Sequence, residues 1–151
     1  MGYISGIDET AVADIAEFGL GQTGMNADGK TYKYVQYDTG AGSVSAVSGQ
    51  VAYYYLAGGT QDNIVTSDVS DSVTIGAGVL WSAPTDGQYC WVQIGGRATL
   101  TIALTAGADG NALTAKGAGD GTLDVSALVS DHVCAIADDI SAKEIICCFP
   151  T

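Results

Sequence analysis

The feature that most constrains this chain is a succession of short alternating runs cut apart by glycine turns. In RATLTIALT (97–105), Ala98, Leu100, Ile102 and Leu104 fall on one side of an extended strand, and Arg97, Thr99, Thr101 and Thr105 fall on the other. A period of two is what a strand with one buried face requires. TYKYVQY (31–37), QVAYYYL (50–56), QYCWVQI (88–94) and KEIICCF (143–149) are rich in the aromatic and β-branched residues that suit a pleated, half-buried surface. NIVT (63–66), SVTI (72–75), GVLW (78–81), TLDV (122–125) and VCAIA (133–137) are shorter strand candidates. Between the apolar runs stand the Asp-Gly pairs 28–29, 86–87, 109–110 and 120–121, a preferred sequence where a turn needs positive φ. The fold expected is mainly β: a single β-sandwich or partly open β-barrel domain.

Before Gly19 the pattern differs. Ile7, Ala11, Ile15 and Phe18 recur at helical spacing, Asp8 stands where it could cap a helix, and Asp14 and Glu17 face the other way. This predicts one short amphipathic helix over about 8–18, within an N-terminal arm of residues 1–27 that precedes a β-rich body of residues 28–151. An isolated helix must dock its apolar stripe on the body or on a neighbour. Tyr3, Ile4, Ile7, Ile15 and Phe18 are therefore the candidate contact residues. The bland reading is that Ile7, Ile15 and Phe18 pack on their own domain.

Length and composition narrow the function classes. The 151 residues suit one domain, and a hydrophobic content of 47% suits a packed core rather than disorder. Seventeen acidic residues against five basic ones give a net charge of −12, which repels nucleic-acid phosphates and anionic membranes. Neither nucleic acid nor membrane is an expected partner. MGYISGIDETAVADIAEF has no basic leader and no unbroken apolar run, and Gly6 breaks the myristoylation pattern, so synthesis in a cytosol is expected. Cys90, Cys134, Cys147 and Cys148 lie in apolar surroundings without C-x-x-C spacing and are expected as buried structural thiols.

Several motifs carry the letters of chemistry without its context. GMNADGKT (24–31) satisfies the P-loop pattern, and GLGQTG (19–24) satisfies the dinucleotide pattern. A phosphate loop, however, needs a strand before it and a helix after it, and here the order is reversed. Asp28-Gly29 reads as a turn, and Lys30 and Lys33 as solvent-facing or contact residues. His132, the sole histidine, lies beside Asp131 and two residues from Cys134, which places a Cys–His dyad on one strand face as the sharper alternative to a lone histidine at a strand entrance. No G-x-S-x-G elbow occurs, and one histidine cannot build a multi-histidine metal site. Asp109, Asp120 and Asp124 admit a weak calcium site, with solvated turns as the simpler reading. Tyr53–Tyr55, Trp81 and Trp91 suit core or subunit packing, or a sugar-stacking platform. No cofactor and no catalytic set is expected.

DGKTYKYVQY, the strand-like GVLW and the run DGQYCWVQIGGRATL together resemble small structural proteins of tailed-bacteriophage heads, the decoration or cement proteins. The likeness covers about 28–125 and runs loosely to EIICCFP. It rests on Gly87, Tyr89, Trp91, Val92, Gln93 and Gly96, with Ala112–Leu113 after them. The resemblance implies a β-rich body on the outer surface of an icosahedral capsid, bound to the major capsid protein. It also implies a homo-oligomer, a trimer above all, with an N-terminal arm reaching across neighbouring subunits. Localisation would then be the virion surface after synthesis in a bacterial cytoplasm. A glycan-binding module displayed on a virion is the alternative.

Overall fold

The computed structural model describes residues 4–151, so the candidate contact Tyr3 lies outside the described residues. These residues form a mainly β structure whose strands join one continuous hydrogen-bonded sheet. The strands are β1 (Ile4–Ser5), β2 (Val12–Ala13), β3 (Thr23–Met25), β4 (Thr31–Tyr37), β5 (Val51–Tyr55), β6 (Ile64–Thr66), β7 (Ser72–Leu80), β8 (Tyr89–Thr99), β9 (Ala112–Thr114), β10 (Asp124–Val125), β11 (Val133–Asp139) and β12 (Glu144–Cys148).

Five strands close on themselves in the order β4-β6-β5-β7-β8, with β8 returning to β4, and make a small barrel. The β4–β6 pair is parallel and the others in the ring are antiparallel. Strand β8 is longer than the ring needs. Its first part pairs with β4, and its last residues, Gly95–Thr99, pair with β12, which leads on to β11, β9 and β10. The two parts share one core: Val35, Tyr37, Val79 and Val92 from the ring pack in the same cluster as Leu113, Cys134, Ala135 and Ile145 from the outer sheet. The structure is thus a small barrel with outer strands, joined through β8.

The bend in β8 has a local cause. Gly96 adopts φ +91°, and the wholly buried Gln93 side chain donates to the Gly95 and Arg97 carbonyls, both at 3.0 Å, while accepting from Trp81 Nε1 at 2.8 Å. Both N–H donors of this buried amide and its carbonyl oxygen are thus spoken for, as burial demands. Strand β7 runs so close to β8 that a Cβ on Gly78 would meet the Gln93 carbonyl oxygen at 2.7 Å. The glycines of all four Asp-Gly pairs sit at positive φ, between 72° and 85°, as the turn reading expected.

Two expectations need correction. No helix forms over 8–18. Asp8 caps a turn instead, accepting from Thr10 N at 3.0 Å and Thr10 Oγ1 at 2.6 Å, and Val12–Ala13 leave to pair antiparallel with Cys90 and Tyr89 of β8. An isolated helix of this length is marginal in water, and the free edge of β8 offers backbone partners that need no nucleation. The separate strands expected at 72–75 and 78–81 merge into β7, and those at 88–94 and 97–105 merge only as far as Thr99. Beyond it the burial still alternates, with Leu100 buried and Ile102 and Leu104 half-buried, but no continuous ladder partner remains. Among the described residues the one helical element is a 3-10 turn at Val69–Asp71, capped by Asp68.

Candidate functional site

The glycine motifs do not build a phosphate cradle. Gly24 lies in β3, the chain turns at 26–30, and β4 follows as the antiparallel partner of β3. The turn closes on Asn26, whose Oδ1 accepts from the Asp28 and Lys30 amides at 3.2 and 3.3 Å and whose carbonyl accepts from Gly29 N at 3.1 Å. Upstream, Gly21 N donates to the Tyr34 carbonyl and Gln22 N to that of Gly19. Amides that a phosphate would need are turned inward.

Other chemical candidates are separated by burial. His132 is exposed, while Cys134 is buried with its thiol towards the Leu113 carbonyl at 3.7 Å, so the two do not share a face as expected. The reason is a bulge between Val133 and Ala135, which breaks the alternation on which that expectation rested. Burial pushes the Cys134 thiol up and raises those of Cys90 and Cys147 to about 12, so these three are poor nucleophiles. Cys148 departs from the expectation of four buried thiols: it is exposed, and all four are free. Asp109, Asp120 and Asp124 accept from the amides of Ile140, Val69 and Val125 at 2.8 to 2.9 Å. Among the described residues no group of three or more His, Cys, Asp or Glu is placed to hold a metal ion. Trp91, Tyr53 and Tyr54 are fully buried, so their rings cannot stack on a sugar.

What the structure does bring together is apolar surface at two places. On the outward side of β4 and β8, Tyr32, Tyr34 and Trp91 form a second cluster, covered by Ile4, Ile7 and Phe18 of the arm. Phe18 meets Tyr34 edge-on and Trp91 at a tilt, each at a centroid distance of 5.2 Å, and the Tyr34 hydroxyl accepts from Glu17 N at 3.3 Å. Three of the candidate contact residues therefore pack on the chain's own body. Ile15 does not: it is 81% exposed.

The second place escaped the sequence reading. Ile136 of β11 and Ile146 of β12 lie directly opposite each other in register, and each is 41% exposed. Val133 and Cys148 are exposed on the same two strands, and Leu128 and Val129 are exposed in the loop entering β11. The signal was present in EIICCF, where both alternating faces are apolar, so whichever face met the core would leave the other bare.

Comparison with known proteins gives no match to any family model, curated protein or solved structure. Among the described residues no helix is long and apolar enough to cross a membrane.

Proposed function

We propose that the chain is a capsid decoration protein: a structural virion component that binds the outer surface of an icosahedral phage shell and bridges its capsomers. The observation that carries this reading is the open β11–β12 face. Its aliphatic residues stay exposed on a chain of net charge −12, and contiguous exposed apolar surface marks a contact site rather than a solvated one. The pattern of Gly87, Tyr89, Trp91, Val92, Gln93 and Gly96 supports it as a body plan: a turn, two outward aromatics, a core residue, the buried amide and the bend of β8.

The mechanism is mechanical. Apolar faces of a few copies, held as a homo-oligomer with a trimer favoured, cover complementary surface on the major capsid protein, and weak contacts add through effective concentration. Ile15 on the arm is a second contact point. Deleting residues 1–18 would also strip the cover from Trp91, so point substitutions separate binding from folding. The test is cosedimentation with purified expanded shells that lack the protein. Wild type is expected to saturate the shell at a fixed ratio, and Ile136→Asp with Ile146→Asp to lose at least about tenfold in affinity, as two buried aliphatic contacts imply. A wild-type chain that leaves no protein on the shell contradicts the reading.

A further inference from the structure

Lys33, expected as a solvent-facing or contact residue, is among the described residues the one buried lysine or arginine, 6% exposed. Alternation along β4 puts it on the face of Val35 and Tyr37, paired in register with Val92 of β8. Its ammonium donates to the Tyr54 hydroxyl at 2.7 Å. The ion pairs of the described residues are Arg97 with Asp138 and Lys116 with Asp131, so Lys33 has no carboxylate beside it there. Burial accordingly holds it below the ordinary lysine value. A buried ammonium met by one neutral hydroxyl is costly to the fold, and an anionic ligand beside it would offset that cost.

A cavity supplies the place. About 590 Å³ opens between the 19–23 segment, Lys33, Thr151 and the β5–β6 loop with Thr60 and Asn63. This lies within the size range of small-molecule sites and far above that of one water. In a chain with 17 acidic residues, no aspartate or glutamate side chain among the described residues lines it. Asn63 Oδ1, shielded from solvent, has no hydrogen-bond partner. The residue is held there at φ +53°, and Gly21 leaves it room, since a Cβ on Gly21 would come within 2.9 Å of Asn63 Nδ2. The residues lining the cavity thus include one unmatched positive charge and one unmatched acceptor.

We propose that this cavity binds an organic carboxylate carried near an amide N–H, with Lys33 as counter-charge and the Asn63 side chain turning so that its Oδ1 accepts from the N–H. A phosphate dianion fits less well, because the Gly21 and Gln22 amides are already spent on Tyr34 and Gly19. The carboxylate can come from a free acylated amino acid or from an acidic residue in an extended protein segment. The chemistry is shared, and the assignment stands apart from the capsid reading.

The test follows the Lys33 side-chain resonances of lysine-labelled protein by NMR while acetylglycine, or an acetylated and amidated Gly-Glu-Gly peptide, is titrated in. A saturable shift of Lys33 is expected, together with a rise in its titration midpoint when ligand is bound. Binding should weaken about tenfold or more in Lys33→Met and in Asn63→Asp, and stay unchanged in Lys116→Met. Lys33→Met exchanges an unpaired buried charge for an apolar chain of similar volume and should fold, and the wild-type readout does not depend on it. Tighter binding of the peptide, or of acetylglycine, supports the site and identifies its source. No saturable Lys33 shift with either probe overturns the proposal, as does equal binding of acetamide or inorganic phosphate, or unchanged affinity in both site variants.

Discussion

Tyr34 and Trp91 at one place, and Ile136 and Ile146 at another, are apolar side chains that strand alternation turns away from the main core. The first pair is buried because residues of the arm, Ile4, Ile7 and Phe18, lie across it. Among the described residues no element lies across the second, and both isoleucines remain 41% exposed. The arm reaches its place by pairing Val12–Ala13 with the free part of β8. On β12 the equivalent flank is occupied by β11, and the open surface there is a face rather than an edge. The difference is one of reach: the arm lies across one outward apolar face and leaves the other open.

Breaking the covered face should cost the fold most. Trp91→Ala is expected to destabilise by about 3–5 kcal/mol in urea melts, the range for removing a buried large aromatic. Phe18→Ala removes a half-buried ring from the same cluster and should cost about 1–2 kcal/mol, part of what full burial of a phenylalanine is worth. A loss near zero at Phe18 would mean that the arm does not cover Trp91 in solution.

The contrast extends to the thiols. Burial raises Cys90 to about 12, so its folded-state value lies above the unfolded one. The unfolded chain then loses its proton first. The associated stability is fully present below the ordinary thiol range and is lost as pH climbs through it towards the folded value. Urea midpoints should fall on going from neutral to strongly alkaline pH, and Cys90→Ala should flatten the decline. An equal decline in the variant would remove Cys90 from the explanation. The smallest effect belongs to the open face: Ile136→Ser with Ile146→Ser should change fold stability by no more than about 1 kcal/mol, as for exposed positions, and instead reduce association measured by light scattering.

Much of the strand framework was legible in the sequence, because alternation and turn chemistry are local. TYKYVQY became β4 without a shift of boundary, KEIICCF contains β12, and each Asp-Gly pair turned as its letters require. Residues 8–18 misled because helical spacing is also local, whereas the partner that claimed Val12 and Ala13 lies some eighty residues away on β8. Lys33 misled for a related reason. In TYKYVQY both faces mix polar and apolar side chains, and ring closure alone decides that the Lys33 face turns inward. The open β11–β12 face was written in VCAIA and EIICCF, but which half would be left bare depends on the bulge at 133–135 and on the register with β8.

Cys148 offers the most direct test of the claim that this face is a contact surface. It is exposed two residues along β12 from Ile146, whereas Cys90, Cys134 and Cys147 are buried. Maleimide labelling of the free native protein should therefore modify Cys148 ahead of the other three. On protein bound to expanded shells, Cys148 should become protected and its labelling slow at least about tenfold, as for a thiol taken out of solvent. Labelling of Cys148 at the same rate free and shell-bound would contradict the account.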